Sequence, residues 1–119
     1  LGLPGNDDSG AMSSWLAFHM MGLYPNAGQS YYLINSPMLK TTTIDLKDGK
    51  AFKIVTNNFS EENRYIQSAK LNGIEFNRSW IEHSDIIKGG ELLLQMGASS
   101  SNWGTTILPP SQKDSLNVK

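Results

Sequence analysis

At 119 residues, with a formal charge of −1 and no cysteine, the chain has room for one core. It can hold no disulfide framework, thiolate nucleophile or cysteine-held zinc site. Its near-neutral charge gives no long-range pull toward a phosphate backbone, so no nucleic-acid partner is expected, whereas neutral partners such as sugars stay open.

The first element is announced by Gly5 to Trp15, GNDDSGAMSSW. Two adjacent carboxylates stand there on a glycine-flanked loop that runs into a strongly apolar helix. Asp7, Asp8 and Ser9 can accept from the orphan N–H groups of a first helical turn, and Gly22 followed by Pro25 marks the stop. Between them Ala11, Met12, Trp15, Leu16, Phe18, Met20, Met21 and Leu23 cover nearly the whole helix circumference, interrupted only by Ser13, Ser14 and His19. Such a helix has no face for water. One β layer covers only one side of it, so the rest is expected to bury against other helices supplied from upstream.

After Asn26 the pattern changes to alternation, which predicts strands over 30–35, 41–46, 51–56, 65–71, 74–76 and 91–96. Asp48-Gly49 and Asn72-Gly73 supply the positive φ angles of tight hairpin turns. Residues 84–88 read as one helical turn that Ser84 can cap and Gly89 can end. Five to seven short strands without a long intervening helix make an antiparallel β-sandwich the natural architecture. From Ala98 onward the chain is loop-like, with Trp103 expected to tack it back onto the body and residues 105–108 to follow across a neighbouring surface. The predicted fold is mainly β: a sandwich at 26–108 preceded by one buried helix within 1–25 and followed by a flexible tail at 109–119. No run approaches the ~20 apolar residues of a membrane span. The start at Leu1, without initiator Met, basic segment or apolar leader, is that expected of an excised carboxyl-terminal piece of a larger polypeptide.

Among residues able to carry chemistry, Asp7 and Asp8 come first. Two carboxylates beside glycines at a helix start can orient a water, take its proton or bind a cation; equally, they can do no more than cap the helix and complement its dipole. Gly5 and Gly10 let backbone approach a ligand, but the further alternating oxygen ligands of a calcium loop are absent. His19 follows Asp8 by about three turns, roughly 16 Å along the axis at ~1.5 Å per residue, too far for direct proton exchange. It reads as a hydrogen-bonded core histidine. Glu82, His83 and Asp85 are metal-ligand types on a turn, where loop and cap roles fit better. Tyr31, Tyr32, Trp80 and Trp103 offer flat faces for sugar rings or for packing, and Trp15 stands close enough to the acid loop to wall a pocket. Asn58-Phe59-Ser60 and Asn77-Arg78-Ser79 match glycosylation sequons, which matter in a eukaryotic secretory setting.

The segment GLPGNDDSGAMSSWLAFHMMGLYP, followed by INSP, YIQSAKLNG and IKGGELLLQMG, resembles the end of a glycoside hydrolase family 92 α-mannosidase over nearly the whole chain. The resemblance implies a preceding (α/α)₆ barrel that the N-terminal helix completes, and a calcium-dependent, inverting, exo-acting hydrolysis of terminal α-mannose from glycans. It further implies a bacterial exported protein, periplasmic or at the cell surface. Asp8 matches the last member of the family's acidic triplet and is the expected general base, with Asp7 and Asn6 positioning the water or the base and with Gly5 and Trp15 bordering the substrate. Asn6 stands where relatives often carry Asp, and Ala11 where they often carry Gln or Gly. The general acid and most calcium ligands are expected upstream, outside this sequence. The alternative is a carbohydrate-binding or scaffold β-sandwich in which the acids only cap the helix.

Overall fold

Alternating apolar side chains set the strands of this chain, and the computed structural model describes residues 14–110. Helix α1 (Ser14–Met21) ends at Gly22, whose φ of 84° lies in the left-handed region that glycine enters freely. Strands β1 (Leu23–Pro25) and β2 (Tyr31–Ile34) follow, then β3 (Thr41–Asp45), β4 (Ala51–Asn57), β5 (Tyr65–Leu71), β6 (Ile74–Glu75) and β7 (Trp80–Glu82). A short helix α2 (His83–Ile87) leads to β8 (Gly90–Gly97). The six strands expected from alternation are present, with no end shifted by more than one residue and 65–71 matched at both ends. Two were missed: β1 is hidden behind the helix stop, and β7 is too short to show alternation.

Both predicted hairpins form. Asp48 and Gly49 (φ 63° and 74°) turn β3 into β4 through a 3₁₀ turn at Lys47–Gly49, and Asn72 and Gly73 (φ 53° and 83°) turn β5 into β6. The sheets are β1-β2-β7 and β3-β4-β8-β5-β6. The larger one is mixed rather than wholly antiparallel, because β8 pairs parallel with β4 and antiparallel with β5. Hairpin signals report only neighbours in sequence. The insertion of the last strand between β4 and β5 is a long-range event that no turn motif records.

Burial follows the pleat. Phe52, Ile54 and Thr56 of β4 and Leu92, Leu94 and Met96 of β8 point inward at every second position. On β5 the inward pair is Ile66 and Ala69, an odd separation that becomes possible because the register against β8 slips between Ile66 and Ser68; such a bulge re-aims a strand by one residue. Tyr32 and Ile34 of β2 and Ile81 of β7 join the same core, as do Ala17, Phe18 and Met21 of α1. Leu16, on the same helix, is 39 % exposed within the chain.

Helix α2 begins one residue earlier than expected. The Glu82 N–H, rather than a group capped by Ser84, finds the Asp85 carboxylate at 3.3 Å, and Gly89 (φ 83°) ends the turn as anticipated.

Candidate functional site

The geometry that would present the acid loop starts from how α1 is fixed. Phe18 lies 5.8 Å, ring to ring, from Tyr32, and Met21 and Leu23 are almost fully enclosed. The carbonyls at the helix C-terminus, which lack intrahelical partners, are taken up locally: the Met38 N–H donates to Met20 O at 2.8 Å, and the Asn35 N–H to Gly22 O at 2.8 Å. His19 accepts this arrangement sideways, its Nδ1 lying 2.7 Å from the Tyr24 hydroxyl with the rings edge to face. This is the hydrogen-bonded histidine the sequence suggested, but it is half-buried at the rim and not in the core. One end of α1 is thus tied to β1, to β2 and to the 35–38 loop, while the other, at Ser14, receives the segment that carries the candidate acids.

Gly5, Asn6, Asp7 and Asp8 lie outside the described residues, as does the side chain of Trp15. Of the tail predicted at 109–119, residues 111–119 are likewise outside them, while Pro109 is described and buried.

The described surface offers recesses but no acid–base pair. A groove of about 480 Å³ runs between the outer face of β2 and the returning C-terminal segment, lined by Asn26, Tyr31, Leu33, Asn35, Thr105 and Leu108 among others. A smaller recess of about 180 Å³ is bordered by Gln29, Ser30, Tyr32 and His83. No Asp or Glu lines either, so the carboxylate pair of a glycosidase cannot be assembled there.

Glu82, His83 and Asp85 are each committed to the fold. Glu82 accepts from Ser30 Oγ at 3.0 Å, His83 Nδ1 lies 2.9 Å from the Tyr32 hydroxyl, and Asp85 pairs with Arg78 at 3.3 Å. Among the described residues no group of three or more His, Asp or Glu stands together to hold a metal ion.

The aromatic faces proposed for sugar stacking are closed by packing. Tyr31 and Trp80 are buried against each other at 5.8 Å, and the Trp80 indole N–H donates to Ile107 O at 3.1 Å. Tyr32 faces the core. Trp103 donates from its indole to Phe76 O at 2.8 Å, tacking the tail onto the body as its isolation suggested. The 104–109 segment then covers the face of β2 opposite to the core, which is why neighbouring Tyr31 and Tyr32 are both buried although a strand turns them to opposite sides. Sequence reading missed Arg78, whose guanidinium lies between Phe76 (4.6 Å) and Trp80 (4.5 Å). The spacing 76, 78, 80 placed these three on one side of an extended segment and was the available signal.

Burial pushes the Tyr32 phenol above its ordinary value of 10.0. The folded state therefore holds a proton that the unfolded chain gives up as pH rises past 10, and stability falls from there until the folded phenol also ionises. Tyr32→Phe is expected to flatten that alkaline loss, read as the change in unfolding midpoint between pH 9 and pH 11. An equally steep loss in the variant would remove Tyr32 as its cause.

Comparison with known proteins adds what the described geometry lacks. The family model for the glycosyl hydrolase family 92 catalytic domain matches residues 1–98, a span that includes the acid loop. A secreted glycosidase of the fungus Arthroderma benhamiae is 47 % identical over 115 residues, 92 % of this chain and 15 % of that protein. The solved family GH92 inverting mannosidase of Bacteroides thetaiotaomicron superposes with a TM-score of 0.71 at 38 % identity, covering 81 % of this chain and 13 % of its own. A second GH92 glycosyl hydrolase structure gives 0.77 at 36 % identity, over 87 % and 14 %. The chain thus spans about a seventh of the length of the relatives it matches.

Proposed function

The chain belongs to glycosyl hydrolase family 92, and from that premise we propose that it is the carboxyl-terminal part of a calcium-dependent, inverting exo-α-mannosidase acting on mannose-terminated glycans. The observation that supports this most is the catalytic-domain match, which begins at residue 1 and so takes in the loop from Gly5 to Ser9. In this reading Asp8 is the general base. Its carboxylate takes a proton from a water as the water oxygen attacks the anomeric carbon from the face opposite to the leaving oxygen. Asn6 and Asp7 orient that water or the base, Gly5 lets backbone approach the sugar, and Trp15 walls the site.

Inversion needs two carboxyl groups about 6.5–9.5 Å apart. Asp7 and Asp8 are chain neighbours and poor candidates for both roles, so the acid that protonates the leaving oxygen belongs to polypeptide preceding this piece. The described part contributes position: α1, riveted at its C-terminal end, completes an upstream helical barrel, and the β-domain braces it. Calcium, when bound, would polarise and orient mannose hydroxyls. In this reading its ligands come mainly from upstream polypeptide; among the described residues no group of three or more His, Asp or Glu stands together. Export is part of the proposal, supported by the secreted fungal relative. A periplasmic or cell-surface home in a bacterium is one form of it and secretion from a fungus another, since the relatives come from both.

The test is hydrolysis of a terminal α-mannoside by the full-length polypeptide, with the newly formed sugar read by NMR before it mutarotates. β-Mannose is expected first, activity lost to a chelator and restored by calcium, and no turnover by residues 1–119 alone. A first-formed α anomer, or turnover by the isolated piece, overturns the proposal.

A further inference from the structure

The glycosidase reading leaves two sequons unused, and the structure separates them. Asn77-Arg78-Ser79 is stitched into the fold. Arg78 is held between two rings and paired with Asp85, Ser79 Oγ donates to Gly104 O at 3.3 Å, and Ser79 O accepts from the Ile34 N–H. A Cβ on Gly104 would lie 2.8 Å from that of Ser79, so the tail closes directly over this sequon.

Asn58-Phe59-Ser60 is different. It opens the loop between β4 and β5, where Asn58 and Phe59 are exposed, Phe59 by 39 %. The loop is held by bonds among its own residues. Asn63 donates from Nδ2 to the Asn58 carbonyl at 2.8 Å and from its N–H to Ser60 Oγ at 3.2 Å, and Arg64 Nε donates to Glu61 O at 2.8 Å. The Asn58 φ of 60° is one that asparagine tolerates in a turn. A bulky polar group on this side chain displaces no core contact, and the loop fold survives its attachment because the bond involving Asn58 runs through its main-chain carbonyl.

We propose that Asn58 is an N-glycan acceptor when this chain passes through a eukaryotic secretory pathway. The donor is an oligosaccharide carried on a lipid pyrophosphate. The bond from sugar C1 to the pyrophosphate oxygen breaks, a bond from C1 to Asn58 Nδ2 forms, one amide proton passes to the transferase, and the lipid pyrophosphate leaves. The glycan would stand beside Phe59, an apolar side chain that is exposed within this chain. The inference rests on the export route of the secreted relative and not on the mannosidase chemistry.

The test expresses the full-length polypeptide behind a secretion leader in yeast and digests secreted and cell-retained protein in ¹⁸O water with a glycan-releasing amidase, which hydrolyses the glycosylated Asn side-chain amide to Asp. Peptides are then read by mass spectrometry. Labelled aspartate is expected at position 58 and not at 77 in both fractions. Asn58→Gln and Ser60→Ala should each remove one glycan from the gel pattern, whereas Ser60→Thr retains it and guards against loss of folding. An unlabelled position 58, or labelling at 77 alone, overturns the proposal, and occupancy is read without reference to enzymatic activity.

Discussion

Asp8→Asn in the full-length polypeptide is expected to lower kcat on an α-mannoside by about 10²- to 10⁴-fold, the usual contribution of a positioned general base, with a much smaller change in KM. The substitution is chosen because it separates the two roles open to this residue. Asn caps a helix about as well as Asp, so a carboxylate that serves only the first turn can be exchanged with little change in stability or turnover. A base cannot, since the amide has no proton affinity to offer water. The second readout is rescue: azide needs no deprotonation, and in the variant it should restore turnover with β-mannosyl azide as product. Asp7→Asn is expected to fall short of the Asp8 effect, since in the proposed reading it would orient rather than accept. Near-normal kcat in Asp8→Asn, or loss that azide leaves untouched, moves the base to another residue.

That experiment bears on the residues that the sequence singles out most explicitly. In the segment from Gly5 to Ser9, whose role waits on that experiment, charge beside glycine ahead of an oily run is a local signal. The same held for the hairpins, where Asp48-Gly49 and Asn72-Gly73 carry their turn geometry in two residues, and for the tacking of Trp103. What could not be read is non-local. The parallel pairing of β8 with β4 depends on a gap left by the β4–β5 connection, and nothing near Gly90 announces it. The tail's return across a neighbouring surface was expected from Trp103 and residues 105–108, but not that this surface is the outer face of β2, where it turns two candidate sugar platforms, Tyr31 and Trp80, into an interior pair. Alternation told which side chains share a face. It could not tell that the second face would be covered as well.

The strongest structural constraint on the proposed site is a glycine some distance from the chemistry. Gly22 ends α1 with φ 84°, and a Cβ there would lie 2.5 Å from Asn35 O and 3.1 Å from Pro37 N, both backbone atoms with no rotamer by which to retreat. Gly22→Ala therefore carries two costs: about 1–2 kcal/mol for an L residue in the left-handed region, and about 1–3 kcal/mol for forcing packed atoms apart. The total is about 2–5 kcal/mol. Yielding is not free, because moving the 35–37 backbone away stretches the 2.8 Å bonds from Asn35 N to Gly22 O and from Met38 N to Met20 O that hold the helix end. Gly28→Ala is the matched control, with a similar φ of 75° and nothing within 4 Å of the added methyl, so it bears only the first cost. In the full-length protein, amide exchange across residues 14–34 is expected to accelerate far more in Gly22→Ala than in Gly28→Ala. Turnover should fall with it, because the released helix is the mount of the segment carrying Asp8. Equal exchange in the two variants would show that the backbone gives way at Asn35 and that the close approach does not set the helix.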